Sequence, residues 1–196
     1  GTTAGVCVPN ANWINPSRNG LTICDATSAA FAMDIDWRKL DVGTFSWQKC
    51  LGGVAGHGIL VLSPKAVERI NTYNPPWPIP KLFQLRKNGK LNLDIFSGAT
   101  INTPSMLCVE DFLDALNWTR EVGGLSALIS KSKNNLNIIK NWISDSHWAD
   151  FLCEDVNNLS STSICLKLVD PKIIDLPLET KNNIEKNIIK LLEDYK

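Results

Sequence analysis

The sequence predicts an α/β fold. A large unit with a mainly parallel sheet would span residues 1–104, a connecting helix 105–123, and part of a smaller α+β unit 124–196. Three observations predict it. Three short apolar runs in the first half each close on a polar residue, as buried parallel strands do. From Pro104 onward the apolar residues recur at helical rather than strand spacing. The chain has 196 residues, 44% of them apolar, enough to bury the core of one large domain or one and a half.

The elements follow in order. LTICDA (21–26), LDVGTFSW (40–47) and HGILVLS (57–63) read as buried parallel strands. Pro64 opens a helix over 64–73, since proline is tolerated at a first helical position. NPPWPIPK (74–81) is too proline-rich for regular structure. KNGKLN (87–92) carries an Asn-Gly turn between two extended pieces, a hairpin signal. In 105–123 apolar residues at 107, 109, 112, 113 and 116 mark an amphipathic helix that Gly123 ends. A second long helix fills 124–145. DFLCED (150–155) and STSICLKLVD (161–170) read as strands. A last helix over 178–196 carries Ile184, Ile188, Ile189, Leu191 and Leu192 as its apolar face.

Composition narrows the function. Twenty acidic residues balance twenty basic ones, so no charge surplus favours a nucleic-acid backbone, although seven tryptophans are available for stacking. No glycine-rich phosphate loop follows a strand. No apolar run approaches the ~20 residues of a membrane span. GTTAGVCVPN lacks the pattern of a signal peptide. The six cysteines form no CxxC pair and there are only two histidines, so no metal site is expected. Free thiols in a reducing, cytoplasmic setting are the expectation. His57 reads as a structural residue or part of a dimer interface rather than a catalytic base, and His147 as a packing residue. Trp37 and Trp47 read as fillers between helices and sheet.

Ligands of open α/β sheets sit at the carboxyl ends of the strands. There Asp25 ends the first strand, and Lys49 in SWQKCLGG comes just past the second. The interval leaves room for one crossover between adjacent strands, so an acid and an amine meet at one crevice. A partly buried lysine is a nucleophile for carbonyls, and pyridoxal phosphate supplies one. A neighbouring aspartate would keep the pyridine nitrogen protonated. Gly52 and Gly53 would let the backbone pass close to another group. Thr2, Thr27 and Ser28 offer hydroxyls to a phosphate or a phenolic oxygen. The same residues also suit ordinary strand ends, and spacing alone leaves that alternative open.

The segments DATSAAFAMDIDW, DVGTFSWQKCLGG, HGILVLSPKAVERI, TINTPSMLCVEDFLDAL and ICLKLVD resemble the phosphoserine aminotransferases, class V members of the fold-type I pyridoxal-phosphate enzymes. The likeness covers almost the whole chain, and the Gln-Lys pair and the Asn-Thr-Pro triplet are its most specific parts. It implies that Lys49 is the lysine that condenses with the cofactor and that Asp25 pairs with the pyridine nitrogen. Gln48 would contact the cofactor, and Thr2 would lie near its phenolic oxygen. Thr27 falls where the family has a Ser or Thr after the aspartate. Asn102 and Thr103 match a pair that reaches across a homodimer to the neighbour's cofactor phosphate. The implied reaction exchanges an amino group between phosphoserine and 2-oxoglutarate, giving 3-phosphohydroxypyruvate and glutamate, and extends to 4-phosphohydroxy-L-threonine of pyridoxine synthesis. Against the family pattern the chain reads as a fragment. The ring-stacking aromatic and a substrate arginine would precede Gly1, and basic residues that clamp the substrate would follow Lys196. The alternatives are another class V enzyme, such as a small-amino-acid–glyoxylate aminotransferase, or an inactive truncated chain.

Overall fold

The structure is a computed structural model that describes residues 4–195. Its first layer is a three-stranded sheet ordered β1 (Ile23–Asp25), β2 (Val42–Phe45), β3 (Ile59–Leu62). β1 and β2 are parallel, with Asp25 opposite Thr44. β3 departs from the expectation, because it runs antiparallel to β2, with Phe45 opposite Ile59. The connection explains the reversal. A parallel return needs a crossover that is usually a helix, and the segment 46–58 forms no helix and holds Gly52, Gly53, Gly56 and Gly58.

α1 (Pro64–Thr72) follows at once. The Ser63 side chain accepts from the Ala66 amide and Pro64 stands at the first helical position. The Asn-Gly signal gives the hairpin β4 (Arg86–Lys87) and β5 (Lys90–Leu91), with Asn88 and Gly89 both at positive φ. α2 (Met106–Glu121) is capped by the Ser105 hydroxyl. α3 (Gly124–Asp145) begins after Gly123, whose φ of 108° only glycine adopts without strain. β6 (Ala149–Phe151) and β7 (Leu166–Leu168) pair antiparallel and are shorter than the sequence suggests. α4 (Pro171–Ile174) was not expected, and α5 (Leu178–Asp194) closes the described chain.

Two clusters hold these parts together. Trp47, Leu51, Cys108 and Leu128 form one, with Phe31, Ile59, Phe112 and Leu116 packed around it, so the loop after β2 is clamped on α2 and α3. Trp47 is stacked on Phe112 at 4.5 Å between ring centres, a contact worth about 1 kcal/mol beyond area burial. Trp37 fills the space over Gly43 and lies beside Phe45. Both tryptophans fill gaps, as expected. Leu136, Cys153 and Leu159 form the second cluster. Val6 bridges to Leu159, which fastens the start of the described chain to the second half.

Four further expectations are corrected. β1 is not buried: Ile23 is 70% exposed, since β1 is an edge strand with no element over its outer flank among the described residues. The inward stripe of α2 runs through Cys108, Phe112, Ala115, Leu116 and Thr119; it keeps Phe112 and Leu116 of the expected face and leaves Leu107 and Leu113 exposed. α5 buries no residue. His147 is exposed rather than packed.

Candidate active site

The site gathers at one end of the three-stranded sheet. The parallel register puts Asp25 beside Thr44, and the Ala26 amide donates to the Thr44 carbonyl at 2.7 Å. The chain leaving β2 carries Gln48 and Lys49 from that same end, and His57 precedes β3 there. Parallel pairing of β1 and β2 therefore brings the aspartate and the lysine loop to one edge, as the strand-end reading requires.

Asp25 is exposed, and its Oδ1 accepts from the Thr27 hydroxyl at 2.6 Å and from the Thr27 amide at 3.0 Å. The hydroxyl first, and then the amide, lower the carboxyl below the ordinary carboxylate range, against a smaller opposing effect of burial. Asp25 thus stays ionised in neutral solution. Its Oδ2 accepts no hydrogen bond from the described residues. Thr27, whose hydroxyl was expected to face a phosphate or a phenolic oxygen, has another task here: it orients and ionises the Asp25 carboxylate.

Lys49 is exposed, and its amine makes no hydrogen bond or ion pair among the described residues. The loop holding it is rigid for local reasons. The Gly53 amide donates to the Trp47 carbonyl at 2.9 Å, and the Gly52 amide to that of Lys49 at 3.0 Å. Gly52 has φ +71°, and a Cβ on Gly53 would come within 2.4 Å of Trp47 Cδ1. Both glycines are thus required, the first by backbone conformation and the second by the buried indole. One residue before Lys49, Gln48 Oε1 is buried without a partner among the described residues, an acceptor whose desolvation is not repaid within the described chain. Burial raises the Cys50 thiol, and burial does the same to Cys24.

The remaining expected residues are placed as follows. Asn102 and Thr103 are exposed just before α2, where only the Asn102 carbonyl is engaged, by the Thr100 hydroxyl at 2.7 Å. Thr2 lies outside the described residues. Asp25 lines a cavity of about 290 Å³ with Cys7, Trp13, Ile23 and Met33, and Lys49 is not among its walls. Lys49 and Asp25 thus share a sheet end, but the expectation that they meet at one crevice is not met, because Lys49 does not line the cavity that Asp25 lines. Among the described residues no cluster of three or more ligating side chains suits a metal ion, and no helix is long and apolar enough to cross a membrane.

Residues that spacing could not reveal complete the picture. The His57 ring accepts at Nε2 from the Ser105 amide at 2.8 Å, and its carbonyl accepts from the Ser46 hydroxyl at 2.5 Å. This supports the structural reading of His57. At the opposite end of the sheet Asp41 is 4% exposed and gathers Arg18, the Thr22 amide and the Ser63 hydroxyl.

No protein-family model matches the chain. It is 53% identical, over all 196 of its residues, to the phosphoserine aminotransferase of Methanosarcina mazei, of which it covers 50%. In fold it is similar to the phosphoserine aminotransferase of Cytophaga hutchinsonii, with a TM-score of 0.71 at 21% identity over 86% of this chain and 46% of that one. It is also similar to the pyridoxal-phosphate-bound phosphoserine aminotransferase of Trichomonas vaginalis, with a TM-score of 0.66 at 17% identity over 92% of this chain and 46% of that one. The chain spans about half the length of the relatives it matches. Its fold is the corresponding part of the fold-type I aminotransferase architecture.

Proposed function

From a chain that belongs to the phosphoserine aminotransferase family over its whole sequence, we infer a transaminase that uses pyridoxal phosphate to exchange the amino group between O-phospho-L-serine and 2-oxoglutarate. The observation that carries this reading is the placement, at the same end of a parallel strand pair, of an ionised carboxylate with an unspent oxygen and of a lysine whose amine has no partner among the described residues. The residues present fit the cofactor, because the orphaned Gln48 oxygen and the free Lys49 amine leave bonding capacity that the described residues do not use.

Pyridoxal phosphate, when bound, supplies an aldehyde that captures amines and a ring that accepts the electron pair leaving the substrate α-carbon. Lys49 would hold the cofactor through its aldehyde and, once freed by the substrate amine, would move the proton from the α-carbon, as base and then as acid. Asp25 would pair with the ring nitrogen and keep it protonated, and Thr27 keeps Asp25 charged. Gln48 would contact the cofactor, and the resemblance assigns the Thr2 hydroxyl to its phenolic oxygen. Asn102 and Thr103 would hold the cofactor phosphate of a second copy in a homodimer, which accords with their exposure ahead of α2.

The same reading assigns residues 1–104 to the cofactor-binding domain, 105–123 to a connecting helix and 124–196 to the smaller domain. It extends to 4-phosphohydroxy-L-threonine as a second substrate and to a cytoplasmic location. The test is to add pyridoxal phosphate, record the yellow absorbance, reduce with borohydride and map the labelled peptide. Label on Lys49, abolished in Lys49→Ala, is expected. A folded protein that takes no label there overturns the reading.

A further inference from the structure

We propose that His57 is a positioning residue that holds the lysine loop and the Asn102–Thr103 segment in a fixed relation, and so links the cofactor grip of one site to that of its neighbour. The inference rests on the assignment of Lys49, Asn102 and Thr103 given above. His57 is tied at two points. Its Nε2 accepts from the Ser105 amide at 2.8 Å, two residues beyond Thr103. Its carbonyl accepts from the Ser46 hydroxyl at 2.5 Å, three residues before Lys49. An accepting Nε2 carries no proton, so the ring is the Nδ1–H tautomer.

The backbone around His57 is confined as well. A Cβ on Gly56 would stand 3.0 Å from Cys108 Sγ in α2, and one on Gly58 would stand 3.3 Å from the Phe45 carbonyl in β2. The His57 ring lies 6.1 Å from the Trp47 ring, which is itself stacked on Phe112 of α2. One residue therefore joins a segment that serves the chain's own site, through its backbone carbonyl, to a segment that serves the partner's, through its ring. Side chains locked by such supporting bonds keep a site in its productive geometry, and loss of a tether loosens both grips together.

The test uses the native-length protein stripped of cofactor and titrated with pyridoxal phosphate. His57→Leu removes the acceptor and is expected to weaken cofactor affinity about tenfold, the scale of one lost hydrogen bond. The absorbance at saturation and the melting temperature are expected to stay near wild type. His57→Gln, whose amide oxygen reaches the same place, is expected to restore affinity, which a filler of space would not do. Ser105→Pro deletes the donor together with the hydroxyl that caps α2, and Ser105→Ala deletes the cap alone, so the difference between the two is expected to match His57→Leu without adding to it. Amide exchange at Ser105 reads the tether without cofactor and is expected to quicken in His57→Leu. Wild-type affinity in His57→Leu, or additive losses with Ser105→Pro, overturns the inference. Absence of label on Lys49 with a protected Ser105 amide overturns the transaminase reading, and with it this role of the tether, which then stands as a fold contact only.

Discussion

The two ends of the small sheet hold one aspartate each, and they are used in opposite ways. At the Asp41 end both carboxylate oxygens are engaged. The carboxylate accepts from Arg18 at 2.5 Å, from the Thr22 amide at 2.8 Å and from the Ser63 hydroxyl at 3.1 Å. It thereby ties the start of β1, the start of β2 and the end of β3. At the Asp25 end one oxygen takes both bonds, from a residue two positions away, and the other oxygen takes none among the described residues. Both carboxyls titrate below the ordinary range. For Asp41 burial is the largest influence and works the other way, and the Thr22 amide, Arg18 and Ser63 outweigh it. For Asp25 the bonds to Thr27 lead. A low carboxyl pKa thus marks a structural clamp in one place and an available charge in the other. What separates them is burial and unspent valence, not titration.

The sharpest way to break this comparison is to delete each carboxylate in turn. Asp41→Ala strands the Arg18 guanidinium and should cost about 3–5 kcal/mol in denaturant unfolding, the scale of a broken buried pair. Asp25→Ala should stay within about 1 kcal/mol of wild-type stability, yet lower transamination about a hundredfold, as when a preorganised charge beside a reacting group is removed. The pH dependence follows with a definite sign. A carboxyl whose folded pKa is depressed adds stability that is complete above its unfolded value of about 3.9 and is lost as pH falls through the folded pKa. Wild type should therefore weaken as pH drops below about 4, and Asp41→Asn and Asp25→Asn should each flatten that decline. Equal losses of stability in the two alanine variants would erase the distinction.

The sequence exposed the open end of the sheet better than the locked one, for a physical reason. Asp25, Thr27 and Lys49 announce themselves locally, as polar residues after apolar runs, while Gln48 came with the resemblance, and the Asn-Gly hairpin and the glycine-ended α2 are equally local. The Arg18–Asp41–Ser63 clamp and the His57–Ser105 bond join residues far apart in the chain, and no periodicity encodes them. The direction of β3 was misread because an apolar run has no direction. Only the length and glycine content of 46–58 argue for reversal. The outward faces of β1 and α5 were misread because apolar spacing shows which residues seek cover without showing what covers them.

A finer test of the open end concerns the rigidity of the lysine loop. Gly53→Ala forces a methyl group onto the edge of the buried indole, since its Cβ would stand 2.4 Å from Trp47 Cδ1. Trp47 is 4% exposed and stacked on Phe112, so it cannot swing away cheaply. Unfolding should become easier by about 1–3 kcal/mol, the usual cost of overpacking. Borohydride labelling of Lys49 should fall in parallel, because the shift propagates along the same turn. The equivalent strain at the locked end has no reason to alter labelling.

The smallest effect separates conformation from packing one residue earlier. Gly52 has φ +71° and nothing within 4 Å of a would-be Cβ, so space is free and only the backbone objects. Its amide closes the turn on the Lys49 carbonyl at 3.0 Å. Gly52→Ala should therefore cost about 1 kcal/mol, the left-handed penalty for an L residue. Gly52→Asn should cost less, because asparagine tolerates that region. A packing origin predicts the reverse order, with the larger asparagine worse than alanine. Denaturant midpoints of the two variants decide between them. If alanine proves harmless, the turn has another conformation open to it, and the fixed placement of the Lys49 amine must come from Trp47 alone.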